Sequence, residues 1–166
     1  YFDKFGNSIA KPEVKKVDAN VTVESVLNKY LTAIGGKSAA EKIKTLSQVG
    51  TATSAAIPAP LNYVSKTDVS GKYMMHLSMN GMSIMKQVLN GATGYMSQQG
   101  QKMDLDAATI AEMKSMSQPV KELEMLTKKD LKLNGIEKID EQDAYVVVDG
   151  KSSSYYSVAT GLKIAD

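Results

Sequence analysis

The run from Lys72 to Asn90 limits the fold of this chain more than any other stretch, because its residues alternate in character with a period of two. The first half of the run has one mixed phase and one wholly apolar phase, and the apolar phase consists of Tyr73, Met75, Leu77 and Met79. This alternation predicts a β-strand whose sheet has one apolar face and one wetter face. Asn80-Gly81 then predicts a tight hairpin turn, so that a second strand from Met82 to Leu89 returns antiparallel.

Stretches with helical periodicity lie before and after these strands. Thr22 is positioned to cap a helix whose apolar stripe contains Val23, Val26, Leu27, Tyr30, Leu31 and Ile34. Ser38-Ala-Ala-Glu41 has the capping-box pattern and predicts a second, short helix. Asp104 or Asp106 caps a third helix that ends near Pro119. Because these helices are amphipathic, we expect them to cover the apolar face of the sheet.

The remaining segments predict a long sheet. We expect about eight or nine strands, joined mostly by tight turns, with a break between two of them at Ile57-Pro-Ala-Pro60. Sequential strands form an antiparallel meander, and a sheet of this length must curl or close. The predicted fold class is therefore α+β, with a curved antiparallel sheet and amphipathic helices over its concave face. Residues 1–19 are expected to form an N-terminal hairpin and a linker, and residues 20–166 one domain.

The charges and the residue types exclude several classes of function. A net charge of +2 gives no field that favours nucleic acid, and all twenty basic residues are lysines, which lack the bidentate guanidinium group. The sequence has no cysteine for a disulfide or a thiolate zinc site. No stretch reaches the roughly 20 apolar residues of a membrane-spanning helix. We therefore expect no nucleic-acid partner, no membrane span and no cofactor.

The titratable residues give no catalytic pattern. His76 is the only histidine, and it lies in the mixed phase of its strand. One histidine supplies neither a zinc site nor a Ser-His-Asp triad. Asp104 and Asp106 stand at the predicted start of a helix, where capping accounts for their carboxylates. We therefore predict no catalytic residue, no metal ligand and no enzymatic activity in this chain.

Methionine is the residue type that suggests a function. Seven of the ten methionines lie between Met74 and Met103. Thioether side chains are unbranched and polarisable, so they adapt either to varied apolar ligands or to irregular gaps in an ordinary core. The residues predicted to line an apolar ligand site are Met75, Leu77, Met79, Met82, Ile84, Val88, Met113 and Met116.

The order of the predicted elements resembles the lipoprotein-carrier (LolA-like) fold, since two helices precede a long antiparallel sheet and a mid-chain helix ends near a proline. That resemblance implies an incomplete barrel, a half-barrel whose apolar concavity takes lipid acyl chains under a lid of helices. Four local sequences are similar to the C-terminal extension of insulinase-type (pitrilysin-family) zinc peptidases from Bacteroidetes, namely Tyr1–Asn7, Val26–Gly36, Met85–Gln101 and Tyr156–Leu162.

These resemblances imply a periplasmic or outer-membrane-associated domain that binds a lipid-like or other hydrophobic ligand and is appended to a zinc peptidase. The peptidase activity does not carry over, because the zinc-binding sequence His-x-x-Glu-His is absent. The alternative is a structural or interaction domain that docks on a peptidase core or another partner, with its cavity filled by its own helices. The abrupt opening at Tyr1 and the polar segment Lys11–Ala19 favour such an appended domain.

Overall fold

A computed structural model describes residues 14–54, 57–150 and 152–166, and for residues 54, 57, 58, 115 and 116 it describes the backbone alone. The hairpin predicted in residues 1–10 lies outside the described residues. The helices are α1 (Val23–Ala33), α2 (Lys37–Ala40), α3 (Ala107–Met116) and α4 (Lys121–Met125). The strands are β1 (Thr45–Ser54), β2 (Ile57–Asp68), β3 (Lys72–Met79), β4 (Met82–Asn90), β5 (Thr93–Gln98), β6 (Gln101–Asp104), β7 (Lys132–Ile139), β8 (Gln142–Asp149), β9 (Ser152–Ser157) and β10 (Lys163–Ala165).

The fold is α+β, as predicted, and consists mostly of antiparallel strands with few helices. The described residues divide into two compact units, of which the first contains residues 14–42 and Glu122–Asp166 and the second is Ile43–Lys121. The first unit has a four-stranded sheet in the order β10-β9-β8-β7, and the second has a six-stranded sheet in the order β1-β2-β3-β4-β5-β6. Within the described residues neither sheet closes into a barrel, because each has two edge strands.

The six-stranded sheet is an antiparallel meander, because each strand pairs antiparallel with the next one in sequence. The prediction of one long sheet of eight or nine strands is wrong, since the described strands form two separate sheets. Asn80 and Gly81 form the turn between β3 and β4, and both have positive φ angles, 50° and 79°. The tight hairpin turn that Asn-Gly favours requires such angles. Gln99 and Gly100 join β5 to β6 in the same way, with φ angles of 49° and 86°.

The predicted break at Ile57–Pro60 is wrong, because this segment is the beginning of β2. Ile57 pairs with Ser54, and the register shifts between this pair and the pair formed by Ala52 and Leu61. A proline has no N–H to donate to the ladder, and strands accommodate proline at such irregularities. The prolines therefore displace the pairing of β1 with β2 without ending the strand.

Residues of α1, α4, β8 and β9 form the core of the first unit, and its buried members are Val26, Leu27, Met125, Val147 and Tyr156. Thr22 caps α1 as predicted, since its hydroxyl oxygen accepts a hydrogen bond from the Ser25 N–H at 3.1 Å. The apolar stripe of α1 is buried at three of its predicted positions, which are Val26, Leu27 and Leu31. The helical period of this segment therefore predicted both its structure and its buried side.

The short helix α2 begins two residues earlier than the capping-box pattern predicts. Its N-cap is Gly36, and no side chain caps it. The N–H groups of Ala39 and Ala40 donate to the Gly36 carbonyl oxygen, which places Ser38 inside the first turn. The capping role predicted for Ser38 is therefore wrong. At α3 the prediction is confirmed, because the Asp106 carboxylate accepts a hydrogen bond from a backbone N–H in the first turn at 2.7 Å.

Part of the segment predicted to be a linker is attached to β7. Lys15 and Ile136 exchange two backbone hydrogen bonds, with N–O distances of 2.8 and 2.9 Å. The ammonium group of Lys15 also lies 3.0 Å from the Asp143 carboxylate. These contacts fix the position of Lys15 at the outer edge of the four-stranded sheet.

Gly94 in β5 allows two leucines to pack against the sheet backbone. A Cβ atom at Gly94 would lie 2.8 Å from Leu105 Cδ1 and 3.4 Å from Leu89 Cδ1. It would also lie 2.7 Å from the Val88 carbonyl oxygen, which belongs to the neighbouring strand. Leu89 is only 1% exposed. The two leucine side chains therefore occupy the space above a position that only glycine leaves open.

We expect Gly94→Ala to lower the free energy of unfolding by about 1–3 kcal/mol, because the added methyl group meets backbone that cannot move aside. Gly50→Ala is the matched control in the same sheet, since a Cβ atom there meets no described atom within 4 Å. Urea unfolding followed by circular dichroism measures both variants. An equal effect of the two substitutions would contradict the crowding at Gly94.

Candidate functional site

One face of the six-stranded sheet carries no charged side chain along three adjacent rows of paired residues. Directly opposed residues of antiparallel strands project from the same face, so the register identifies which side chains are neighbours. The central row crosses all six strands and consists of Gln48, Ser65, Met75, Gln87, Met96 and Met103. We call the face that bears this row the uncharged face.

Two further rows flank the central one on the uncharged face. The row nearer the turn that precedes β3 consists of Leu46, Thr67, Tyr73, Leu89 and Gly94. The row nearer the hairpin between β3 and β4 consists of Gly50, Tyr63, Leu77, Met85, Gln98 and Gln101. Apolar and amide side chains together therefore cover a wide area of sheet in which no ionic group interrupts them.

The opposite face, which we call the charged face, has a different composition. One of its rows consists of Val49, Val64, His76, Lys86, Ser97 and Lys102. The adjacent row consists of Ser47, Lys66, Met74, Val88, Tyr95 and Asp104. The division into one apolar and one wetter face, which the alternation in β3 predicted, is thus confirmed by the register.

The uncharged face is only partly shielded from solvent. Leu61, Ser65 and Leu89 are buried, whereas the central Met75 and Met96 are half-buried and Met103 at the edge is 53% exposed. Polar atoms of the central row bond within the row: the Ser65 hydroxyl donates to Gln48 Oε1 at 3.1 Å. This arrangement leaves thioether groups accessible to a binding partner.

The protonation of Tyr73 reflects the low polarity of this face. Burial raises the pKa of the Tyr73 phenol above its ordinary value, and the neighbouring Tyr63 adds to the shift. Desolvation disfavours the charged phenolate, and no cation faces Tyr73 in its own row to offset that effect. The Tyr73 phenol is therefore partly shielded from solvent on the uncharged face.

The eight residues predicted to line an apolar site do not share one face. Met75 and Leu77 lie on the uncharged face, and Met79 pairs with Met82 at the hairpin end, where Met82 is 61% exposed. Val88 pairs with Met74 and therefore lies on the charged face.

The other three predicted residues lie at other kinds of position. Ile84 stands where the register of β3 with β4 shifts. Met113 is buried in α3, and the side chain of Met116 lies outside the described residues.

A register shift between β3 and β4 explains the difference. Near the turn, Met79 pairs with Met82, but beyond the shift Leu77 pairs with Met85 and Tyr73 with Leu89. A shift of one residue exchanges the two phases of a strand between the faces of its sheet. Sequence reasoning therefore assigned the even-numbered phase of β4 to the apolar face and missed Met85, Met96 and Met103. Lys86 was the available signal, because a charge marks the even phase as the charged side.

A pocket of about 380 Å³ opens at the end of the sheet beside the turn between β2 and β3. It contains none of the eight predicted residues, and its lining consists of Thr45, Leu46, Ser47, Lys66, Thr67, Asp68, Lys72, Tyr73 and Met74. Asp68 is already engaged there, because its carboxylate accepts hydrogen bonds from the Ser70 hydroxyl and the Lys72 N–H. These bonds, above all the one from Ser70, lower the pKa of Asp68 below its ordinary value. The Asp68 carboxylate therefore stabilises the turn.

His76 lies on the charged face, where its Nε2 atom is 3.0 Å from the Ser83 hydroxyl oxygen on the paired strand. Among the described residues, no three side chains of histidine, cysteine, aspartate or glutamate come together in a way that could hold a metal ion. The contact with Ser83 is therefore a side-chain hydrogen bond between β3 and β4.

The first unit contains a buried ionic cluster that the sequence did not predict. Glu122 of α4 is only 1% exposed, and its Oε1 atom accepts a hydrogen bond from the Tyr156 hydroxyl at 3.0 Å. The Lys163 ammonium lies 3.2 Å from the same oxygen and 3.2 Å from the Asp166 carboxylate. Ser154 donates to the other oxygen of Asp166 at 2.7 Å. Residues of α4, β9 and β10 therefore meet at one buried carboxylate.

The surroundings of this cluster shift the pKa values of two of its members. Burial, with the Glu122 carboxylate adding to it, raises the pKa of Tyr156 far above its ordinary value. Burial alone would lower the pKa of Lys163, but the carboxylates of Glu122 and Asp166 outweigh it and raise that pKa. Tyr156 also contacts Tyr30 of α1 edge to face, with ring centroids 5.6 Å apart. The cluster favours a neutral tyrosine and a charged lysine and thereby stabilises the unit.

We expect Tyr156→Phe to lower the free energy of unfolding by about 2 kcal/mol, because a buried carboxylate loses a hydrogen bond. The pH dependence should change as well. Above the ordinary tyrosine and lysine pKa values of 10.0 and 10.5, the unfolded chain releases protons that the folded chain retains, so stability falls as pH rises. Tyr156→Phe should make this alkaline fall in Tm shallower.

Thermal unfolding from neutral pH to about pH 11 measures the effect. Tyr145→Phe is the control, since Tyr145 is a half-buried tyrosine packed against the same core. A parallel Tm profile for Tyr156→Phe and the unmodified chain would show that the Tyr156 hydroxyl does not contribute.

Comparison with protein-family models and with curated proteins gives no match to this sequence. Among the described helices, none has both the length and the apolar character that crossing a membrane requires. The function proposed below therefore rests on the physical properties of the uncharged face.

Proposed function

We propose that the uncharged face of the six-stranded sheet binds an elongated hydrophobic ligand, such as the acyl chain of a lipid, without catalysing a reaction. The observation that carries the proposal is the set of three adjacent rows that contain no charged side chain. In these rows the side chains of Met75, Met85 and Met96 are half-buried. A face of this kind loses little when it is desolvated by a ligand, because it holds no ion that must give up its hydration.

The dimensions of the face suit a chain-like ligand. Six strands at a spacing of about 4.8 Å give a row roughly 24 Å long. Burial of each methylene group of an acyl chain contributes about 0.8 kcal/mol, so contact along part of the row is sufficient for binding. Methionine side chains adapt to ligands of different shape because they are unbranched and polarisable. A chain-like ligand therefore fits both the length and the chemistry of the central row.

The resemblances in the sequence extend this proposal to the wider setting of the chain. The six-stranded meander with α3 beside β3 and β4 fits a LolA-like half-barrel, in which helices cover a concave sheet face. In that setting the chain is a periplasmic or outer-membrane-associated domain appended to a zinc peptidase. The catalytic zinc site then belongs to the other domain, since this sequence has no His-x-x-Glu-His motif.

Met74 and Met75 provide a matched test of which face binds the ligand. They are adjacent half-buried methionines of β3 whose side chains project from opposite faces. We expect Met75→Gln to weaken binding of a fluorescent fatty acid by about fivefold, because roughly 1 kcal/mol of apolar contact is lost. Met74→Gln should bind as tightly as the unmodified chain.

The two variants are compared by fluorescence titration, and native mass spectrometry of the purified chain detects any amphiphile that it retains. Far-ultraviolet circular dichroism and Tm verify that both variants fold. Equal affinity of Met75→Gln and Met74→Gln for the fatty acid would contradict binding on the uncharged face. Absence of any fatty-acid binding by the unmodified chain would contradict the proposed function as a whole.

A second candidate function is that of an interaction domain whose sheet is covered by its own chain. The specific observation in its favour is that the side chains of Leu105 and Leu89 both lie close to Gly94 and already occupy one end of the uncharged face. In this case the domain docks on a peptidase core or another partner and holds no ligand. Co-purification of this chain with the peptidase domain, together with no retained amphiphile, would favour this function over ligand binding.

A further inference from the structure

The edge strand β1 leaves one whole side of its backbone without a strand partner among the described residues, because β2 is its only neighbour in the sheet. Residues 45–51 are all exposed, and Val49 is 80% exposed. The strand Thr45–Ser54 contains no charged residue and no proline. An exposed edge with free N–H and C=O groups and no such protection is a template for pairing with another strand.

The other described sheet edges are protected in ways that β1 is not. The outer strand β6 has four residues, of which Lys102 and Asp104 are charged, and β10 has only three residues. The third edge, β7, carries several charges and pairs with Lys15 at Ile136. Short length, charge and a covering segment are the means by which sheets avoid edge-to-edge association. Within the described part of the chain, β1 therefore stands out as an edge suited to association.

We propose that β1 pairs antiparallel with β1 of a second copy of this chain, about a two-fold axis at Val49. The choice of a second copy rests on the self-complementarity of the strand, because a symmetric interface must oppose a surface to itself. In this register Val49 opposes Val49, and Ser47 opposes Thr51 of the other copy. Valine pairs and hydroxyl pairs across strands are both favourable, and no like charges meet.

The side chains on the uncharged face fit the same register. Gln48 opposes Gly50 of the second copy, and Leu46 opposes Ala52, so each long side chain meets a small one. An axis perpendicular to the sheet also keeps the same face on the same side in both copies. The two six-stranded sheets then form one continuous sheet with one continuous uncharged face. This inference is independent of whether that face binds a ligand.

Two double variants that differ only in the sign of the charge introduced at position 51 test the proposed register. In Ser47→Lys/Thr51→Lys the ammonium group at position 47 of one copy opposes the ammonium group at position 51 of the other copy. In Ser47→Lys/Thr51→Glu the same ammonium group opposes a carboxylate. Within one chain the two altered positions are four strand residues, or about 13 Å, apart, so the variants differ little in the monomer. Both positions are exposed, and Tm verifies that the two variants fold alike.

Sedimentation equilibrium of the full chain over a concentration series gives the mass. The unmodified chain and Ser47→Lys/Thr51→Glu should approach twice the 17.9 kDa of one chain, and Ser47→Lys/Thr51→Lys should remain at 17.9 kDa. A monomeric unmodified chain at every concentration would overturn the proposal, including the case in which another segment of the same chain covers β1. Equal masses for the two variants, or an open series of higher oligomers, would also overturn it.

Discussion

The pairing of β3 with β4 determines which side chains share a face in the whole six-stranded sheet. Asn80-Gly81 fixes the pairing at the turn, where Met79 opposes Met82. The register then shifts by one residue, and Leu77 opposes Met85. Every later pairing in β5 and β6 follows from that second register. The shift therefore brings the thioether groups of four strands, β3 to β6, together on the uncharged face and turns Lys86 to the opposite side.

The absence of charge from that face has consequences for both stability and binding. A lysine or carboxylate in the central row would have to remain hydrated, and that requirement would keep solvent over the sheet. In that row the Ser65 hydroxyl donates a hydrogen bond to the amide oxygen of Gln48. The methionines add apolar area without fixing a single shape. A surface with these properties can accept a flexible apolar partner, whether that partner is a ligand or another part of the chain.

The first unit depends on a different interaction, the buried carboxylate of Glu122. Tyr156 donates a hydrogen bond to it, and Lys163 supplies the opposite charge. A buried ion pair gains stability only when its remaining hydrogen-bonding groups are also satisfied. Here the Lys163 ammonium also contacts the Asp166 carboxylate, and that carboxylate accepts a hydrogen bond from Ser154. The cluster adds a polar connection between α4, β9 and β10 to the hydrophobic packing of Met125 with Tyr156 and to the pairing of β9 with β10.

Much of the local structure follows from the sequence alone. Thr22 and the apolar stripe after it define α1, the alternation around Met75 defines β3, and Asn80-Gly81 defines the hairpin that follows β3. These signals are readable because a helix cap, a hydrophobic period and a tight turn each depend on residues close together in the chain. Short-range signals were less reliable at Ser38 and at Pro58, where a neighbouring glycine or a shifted register accommodates the chain differently.

The composition of the candidate site was decided by the tertiary structure. Eight apolar residues looked equivalent in the sequence, but the register shift placed Val88 on the charged face and Met85 on the uncharged one. The ionic cluster joins Glu122 to Lys163, which are far apart in the chain, and no local pattern marks such a pair. The sequence by itself determined the elements and their amphipathic character, since these arise from neighbouring residues. Only long-range pairing between strands decided which side chains meet, because one residue of register changes the face of every residue that follows.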